Sequence, residues 1–296
     1  MNETVDQKNQ EEFQGDGIIR MKQAPKVEPA VAELEKPTEF VESLAKGLAI
    51  LECFDAQRPE MTLSEIARLV SLSPAAARRS LLTLKALGYV GQREKRFHLR
   101  PRIMTLGSSF FFTARIDELL QPHLRELVNT FGDASSVGTL DGQDVIYIAH
   151  HSVQRARRAM AVLGATYPAF ATSLGRVLLA GLDDMRLEAY FDRLDPVALT
   201  SRTLVDPDDI RAEIERVRTA GYSTTVDQLD YGITALAVPI RAADGRTIAA
   251  LNTSGYTGMV TPESLVDERL PKLRTVASTI AHAISRYPAL ETVIGT

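Results

Sequence analysis

Arg78 and Arg79 stand together just behind Ser73, Pro74, Ala75 and Ala76. That combination suits nucleic acid: small side chains let a helix approach closely, and an arginine donates two hydrogen bonds to guanine or pairs with a phosphate. Arg93, Lys95 and Arg96 form a second basic cluster soon after. The titratable groups suggest less. The five histidines are His98, His123, His150, His151 and His282. None forms H-E-x-x-H or an i, i+4 pair, and adjacent His150 and His151 would face opposite sides of a strand, so no metal site is expected. Cys53 is alone, which excludes an internal disulfide and a cysteine-based zinc cluster. The chain has no G-x-S-x-G elbow, no G-x-G-x-x-G and no Walker loop, so neither catalytic residues nor a cofactor are expected. Asp227, Asp230 and His150 are the acid and base groups that an enzyme would have to use.

The elements that must position these residues follow from charge and pattern. The chain has 296 residues, 45% hydrophobic and 24% charged, which predicts a globular protein of about two domains. No apolar run approaches the roughly 18 to 20 residues that span a bilayer, and the polar, acidic first residues carry no secretory pattern. A cytoplasmic protein without membrane contact is expected. The net charge of -4 hides an asymmetry: residues 39–104 hold eleven Lys/Arg against seven Asp/Glu, a charge of +4, whereas residues 105–296 carry -5. A basic module on an acidic body implies an anionic partner for one part of the chain only. Residues 1–38, polar and bearing three prolines, are expected to be a disordered arm.

From Glu39 onward Leu44, Leu48, Leu51 and Phe54 recur at helical spacing, predicting a first helix that ends near Ala56. Thr62-Leu63-Ser64-Glu65 offers a capping box for a short helix to Val70, and Ser73-Pro74 starts another that Gly88 ends. Tyr89-Val90 and Phe97-His98-Leu99 read as short strands around a charged tip over residues 91–96. Helix, tight turn, helix and basic hairpin make a winged helix-turn-helix over residues 39–104. A linker helix over residues 105–131, interrupted near Pro122, leads to a mixed α/β domain over residues 132–296. There, strands are predicted at 136–140, 145–150, 160–163, 222–226, 236–240 and 248–253. Helices are predicted at 171–181, 184–193, 207–220 and 262–286, so the domain should be a largely antiparallel sheet with helices on it.

Several blocks resemble the isocitrate-lyase-regulator (IclR) family of bacterial transcription factors: SLAKGLAIL at 43–51, TLSEIA at 62–67, ARRSLLTL at 77–84, LGYV at 87–90, YPAFATSLGRVLLA at 167–180 and AALNTS at 249–254. The wording is most similar to the branch that regulates protocatechuate, 4-hydroxybenzoate and catechol degradation. The resemblance implies an α+β chain with a GAF-like effector-binding domain, acting as a homodimer or dimer of dimers on an inverted repeat of double-stranded DNA. It also implies a small organic, aromatic acid as effector. In the family such acids meet positions that correspond here to Gly164, Ala165, Asp227, Ala235, Asn252 and Ser254, and His150 is an additional candidate. Asn252 and Ser254, two residues apart on a predicted strand, share a face. The family's Gly-Leu-Arg-Ser stretch is Gly232-Ile233-Thr234-Ala235 here, and Thr166 stands where an arginine is common.

A ligand-responsive regulator without catalytic activity is thus the first reading. A small-molecule enzyme fused to a DNA-binding module and a constitutive architectural DNA binder stand beside it. Deleting residues 1–38 is expected to leave the melting temperature and the effector titration nearly unchanged. A large loss of stability in calorimetry would show instead that the arm packs on the body.

Overall fold

The computed structural model describes residues 38–287 apart from 56, 114 and 154–162, together with 291, 294 and 295. The expected arm lies outside the described residues except for its last position, and so does the strand expected at 160–163 except for Leu163, which is in a turn. Among the described residues no helix is long and apolar enough to cross a membrane.

The first unit is built as the capping signals predict. Helix α1 (Glu42–Glu52) stops earlier than expected, because the Asp55 carboxylate accepts the Gln57 and Arg58 N–H groups and turns the chain. Strand β1 (Glu60–Thr62), which periodicity does not reveal, precedes α2 (Leu63–Leu69). Thr62 and Glu65 form the capping box, the Thr62 N–H donating to the Glu65 carboxylate at 2.7 Å. Ser71, at φ 52°, makes the tight turn into α3 (Pro74–Ala86), and Gly88, at φ 85°, ends it. Strands β2 (Val90–Arg93) and β3 (Arg96–Leu99) complete a three-stranded sheet in the order β1-β3-β2. Ile50, Met61, Ile66, Leu81 and Phe97 fill its core.

The linker is three helices. They are α4 (Met104–Thr113), α5 (Ile116–Leu119) and α6 (Gln121–Phe131). Pro122 is no breaker, since it sits in the first turn of α6 where its missing N–H has no intrahelical partner. The expected interruption falls just before it, at Leu120 between α5 and α6, and a second break lies at Arg115, whose φ is 44°. Its guanidinium holds that turn by donating to Glu118 at 2.6 and 2.7 Å and to the Tyr287 hydroxyl at 3.0 Å.

The second unit is one antiparallel sheet of six strands: β4 (Ala134–Asp141), β5 (Asp144–Ser152), β6 (Thr166–Pro168), β7 (Ser223–Val226), β8 (Ile233–Arg241) and β9 (Thr247–Tyr256). Their spatial order is β6-β5-β4-β9-β8-β7. Side-chain alternation divides the sheet between two layers. Leu236, Val238, Ile240, Ala249 and Leu251 pack with Leu265, Leu273 and Ile280 of α10 (Pro262–Ser285), and with Leu124 and Leu127 of α6. Ala237 and Ala250 face the other way, onto α7 (Ser173–Ala180), which α8 (Asp184–Phe191) and α9 (Pro207–Ala220) cover in turn. The α+β architecture of a winged helix-turn-helix, linker and GAF-like domain is therefore present.

Two local features shape this layer. Gly175 lets α7 sit against the turn before it, since a Cβ there would lie 2.1 Å from the Ala169 carbonyl oxygen. On β5 the register with β4 shifts: Ala149 opposes Val137 but Tyr147 opposes Gly138, leaving Ile148 as a bulge. The bulge changes parity, so Tyr147 and His150, three residues apart, face the same side. Gly175→Ala is expected to cost about 2 to 3 kcal/mol. Gly47→Ala, in α1 with open space around it, is expected to stabilise by about 0.5 to 1 kcal/mol. Urea unfolding followed by circular dichroism checks both signs.

Candidate functional site

Beside the start of α7 the sheet floors a cavity of about 100 Å³ among the described residues. An engineered apolar cavity of roughly 150 Å³ takes up benzene, so this space is on the scale of a single ring. Ser136, His150, Asn252 and Ser254 line the floor, Ala235 and Thr225 continue it, Tyr147 and Tyr167 supply aromatic wall, and Thr172 and Ser173 come from the start of α7. The floor is a row of cross-strand neighbours, since Ser136 opposes His150 on one side and Asn252 on the other.

The row is tied together. The Ser136 hydroxyl and His150 Nδ1 are 2.9 Å apart. The Ser136 N–H donates to Asn252 Oδ1 at 2.8 Å, which leaves the Asn252 Nδ2 hydrogens without a partner among the described residues. Tyr147 and Tyr167 meet edge to face with centroids 5.1 Å apart. Burial pushes both phenols above their ordinary pKa, so they present neutral hydroxyls. Asp133 also lines the cavity, but its carboxylate receives the Arg269 guanidinium at 2.9 Å, and Arg269 donates in addition to Thr253 at 3.1 Å. Both charged residues of that pair are buried.

Of the expected effector contacts, the structure brings His150, Ala235, Asn252 and Ser254 together and leaves three out. Gly164 lies off the cavity wall, its N–H donating to the Tyr147 carbonyl at 2.8 Å, and the Ala165 carbonyl accepts from Tyr147 in the same ladder. Asp227, at φ 54°, holds a turn: its Oδ1 accepts the Gly232 N–H at 2.7 Å and the Thr257 hydroxyl at 2.8 Å. Asp230 does not line the cavity either. Thr234 and Thr166, the positions without the family arginines, are also off the wall. Thr234 donates instead to Thr257 at 3.0 Å. Sequence reasoning missed Ser136, Ser173, Tyr147 and Tyr167; Ser135-Ser136 within a buried strand was the available signal.

The turn held by Asp227 carries Leu229 to the cavity and is braced from below by Arg176. This buried arginine donates to the Phe170 carbonyl at 2.8 Å and to Gln228 Oε1 at 2.8 Å, with Glu213 at 3.6 Å. Burial pulls its pKa down to about 10, which keeps it cationic at neutral pH.

In the first unit the Ser73 hydroxyl caps α3 by accepting the Ala76 N–H at 3.3 Å. Ala75, Arg78 and Arg79 are exposed on the first turns and Ala76 is half-buried, while Ala77 and Leu81 turn inward. The side chains of Arg78, Arg79, Arg93 and Lys95 make no hydrogen bond or ion pair among the described residues, so their charges are available to an anion. Arg96 differs. It lies on β3 and donates to the Glu60 carbonyl at 3.0 Å, with the Glu65 carboxylate at 3.8 Å, so the hairpin tip is Glu94-Lys95 alone.

Two family models match the chain: the bacterial transcriptional regulator IclR C-terminal domain over residues 112–282 and the IclR helix-turn-helix domain over residues 43–94. The Pca regulon regulatory protein of Pseudomonas putida is 36% identical over 83% of this chain and 85% of its own length. The protein RHA06195 from Rhodococcus sp. RHA1 superposes with a TM-score of 0.71 at 41% identity, covering 83% of this chain and 99% of that one. A double mutant of the Acinetobacter PobR inducer-binding domain, solved with 3-hydroxybenzoic acid, covers 55% of this chain and 96% of its own at 31% identity and a TM-score of 0.51. On these matches, and on a fold that agrees with them throughout, the chain belongs to the IclR family of bacterial transcriptional regulators.

Proposed function

We propose that a small hydroxylated aromatic acid, held in the cavity, controls operator binding by α3 and the wing, and that the chain has no catalytic activity. The cavity carries this reading. It is sized for one ring, walled by Tyr147 and Tyr167, and floored by the hydrogen-bonding groups of Ser136, His150, Asn252 and Ser254. The similar PobR domain holds 3-hydroxybenzoic acid, an acid of this class. Against an enzyme, Asp227 and Asp230 do not converge on His150, so the acid–base set that catalysis would need is not assembled. Because Asp227 is held in its turn, the ligand hydroxyl is assigned to Asn252, Ser254 and His150 rather than to a carboxylate.

The DNA partner is an inverted repeat, bound by a homodimer or a dimer of dimers, since one helix-turn-helix covers a half-site. Operator binding in a bacterium implies the cytoplasm. Val41, Leu44 and Leu48 support the dimer: they form one stripe along α1, exposed at 57, 62 and 47%, and Met104 and Leu106 of α4 are exposed as well. A second copy of this apolar surface would cover them.

Three outcomes follow. Replacing Arg78 and Arg79 with alanine should abolish specific operator protection in footprinting while leaving the dimer intact in sedimentation. Lys95→Ala should weaken binding to all sequences alike and reduce the salt slope by about 1. In calorimetry, 4-hydroxybenzoate and protocatechuate should bind more tightly than benzoate, and Ser254→Ala should erase much of that difference, about fivefold for one neutral hydrogen bond. Equal affinity for all three acids in both proteins would remove the hydroxyl assignment, and an unchanged operator titration with saturating acid would leave a constitutive DNA binder.

A further inference from the structure

The cavity has to receive an anion, yet among the described residues no arginine or lysine lines it. His150 is a floor residue already hydrogen-bonded to Ser136, and Asp133, the one acid on the wall, is paired with Arg269. The start of α7 offers something else. Thr172 Oγ1 accepts the Gly175 N–H at 2.9 Å, and the Thr172 carbonyl accepts the Arg176 N–H at 3.0 Å. The N–H groups of Ser173 and Leu174 remain, and neither has a partner among the described residues. First-turn N–H groups point out of a helix along its axis, where the aligned peptide dipoles amount to roughly half a positive charge.

An independent feature singles out the same spot. Ser173 is 2% exposed and lines the cavity, and its hydroxyl has no hydrogen-bond partner among the described residues. Opening onto the cavity with no protein acceptor, this hydroxyl can donate to a ligand oxygen. The Ser173 N–H and hydroxyl, at a helix start that lines the cavity, can donate to the two oxygens of a carboxylate.

We propose that the N-terminus of α7 is the carboxylate seat of this cavity, with Ser173 as the residue that selects an acid over its neutral analogue. This seat rests on the reading of the cavity as an effector site, and the test below separates the two. It also orients the ligand: the carboxylate lies at α7, the ring against the tyrosines, and the hydroxyl reaches the polar floor.

The experiment is calorimetry on the full-length protein with 4-hydroxybenzoate, its neutral amide 4-hydroxybenzamide, and 3-hydroxypropanoate as a non-aromatic acid. Ser173→Ala removes the hydroxyl alone. Ser173→Pro also removes one N–H at a helix position that tolerates proline, after a Thr172 whose φ of -119° and ψ of 148° suit a residue preceding proline. Ser173→Ala should weaken 4-hydroxybenzoate about tenfold, the scale of a hydrogen bond to a charged group, and Ser173→Pro should weaken it further. The amide should bind wild type more weakly than the acid and change less than about threefold. Acid affinity unchanged in both variants, or an amide that loses as much as the acid, overturns the seat while leaving the aromatic reading in place. Binding of 3-hydroxypropanoate alone, weakened by Ser173→Ala, keeps the seat and refutes the aromatic reading. Binding of no carboxylate by wild type overturns both. Melting curves establish folding, and if Ser173→Pro does not fold, the acid-to-amide ratio in Ser173→Ala decides.

Discussion

The cavity depends on how closely α7 can approach the sheet. Every residue from Ser173 to Leu179 is buried, so this short helix is enclosed on all sides. Leu174, Leu178 and Leu179 each contribute about 1.5 to 3 kcal/mol of burial. Small residues make the approach possible: Gly138, Ala237 and Ala250 lie beneath α7, and a Cβ on Gly138 would touch Val145, the Ile146 carbonyl and Leu174. Because the helix begins at Ser173, its first residue borders the cavity.

Enclosure has an electrostatic consequence. Arg176 lies in the middle of a buried helix, and carbonyl, amide and carboxylate oxygens surround its charge and compensate its burial. Those same partners brace the turn that carries Leu229, so the roof of the cavity and the charge beneath it form one unit. At larger scale the acidic second unit and the basic first unit give the molecule a polarity that steers the helix-turn-helix, rather than the cavity, toward a polyanion.

Most elements were legible in the sequence where local chemistry decides them. Helix α9 has the predicted bounds because Asp206 caps it, Pro207 starts it and Gly221, at φ 71°, ends it. The capping box at Thr62 and the hairpin at Asp141-Gly142 are of the same kind. What was not legible depends on partners distant in sequence. Strand β1 is three residues that become a strand only against β3, and β6 exists only against β5. The break at Arg115 has neither glycine nor proline to announce it. The bulge at Ile148 reverses the parity that would have set Tyr147 and His150 on opposite faces. For the cavity, the strand residues Ala235, Asn252 and Ser254 were legible from resemblance and alternation. Asp227 and Gly164 were misplaced because each is committed to a backbone turn or ladder that motif similarity does not disclose.

The buried pair of Asp133 and Arg269 ties the two central strands to α10. From α10, Arg269 reaches Asp133 at the entry to β4 and Thr253 on β9 at once, while its guanidinium stacks 5.0 Å from the centre of the Phe131 ring at the end of α6. Sliding β9 by one residue along β4 would turn Thr253 to the cavity and Asn252 and Ser254 to the helix, exchanging the two faces of the strand. In that arrangement the guanidinium keeps Asp133 but loses the Thr253 hydroxyl, a buried hydrogen bond to a charged group worth about 1.5 to 3 kcal/mol. An apolar pair of equal volume could match the stability of the correct fold, but it would be indifferent to the slip. The pairing that places Thr253 under the guanidinium is the same one that turns Asn252 and Ser254 to the cavity, so one contact on the helix side favours the register that builds the polar floor.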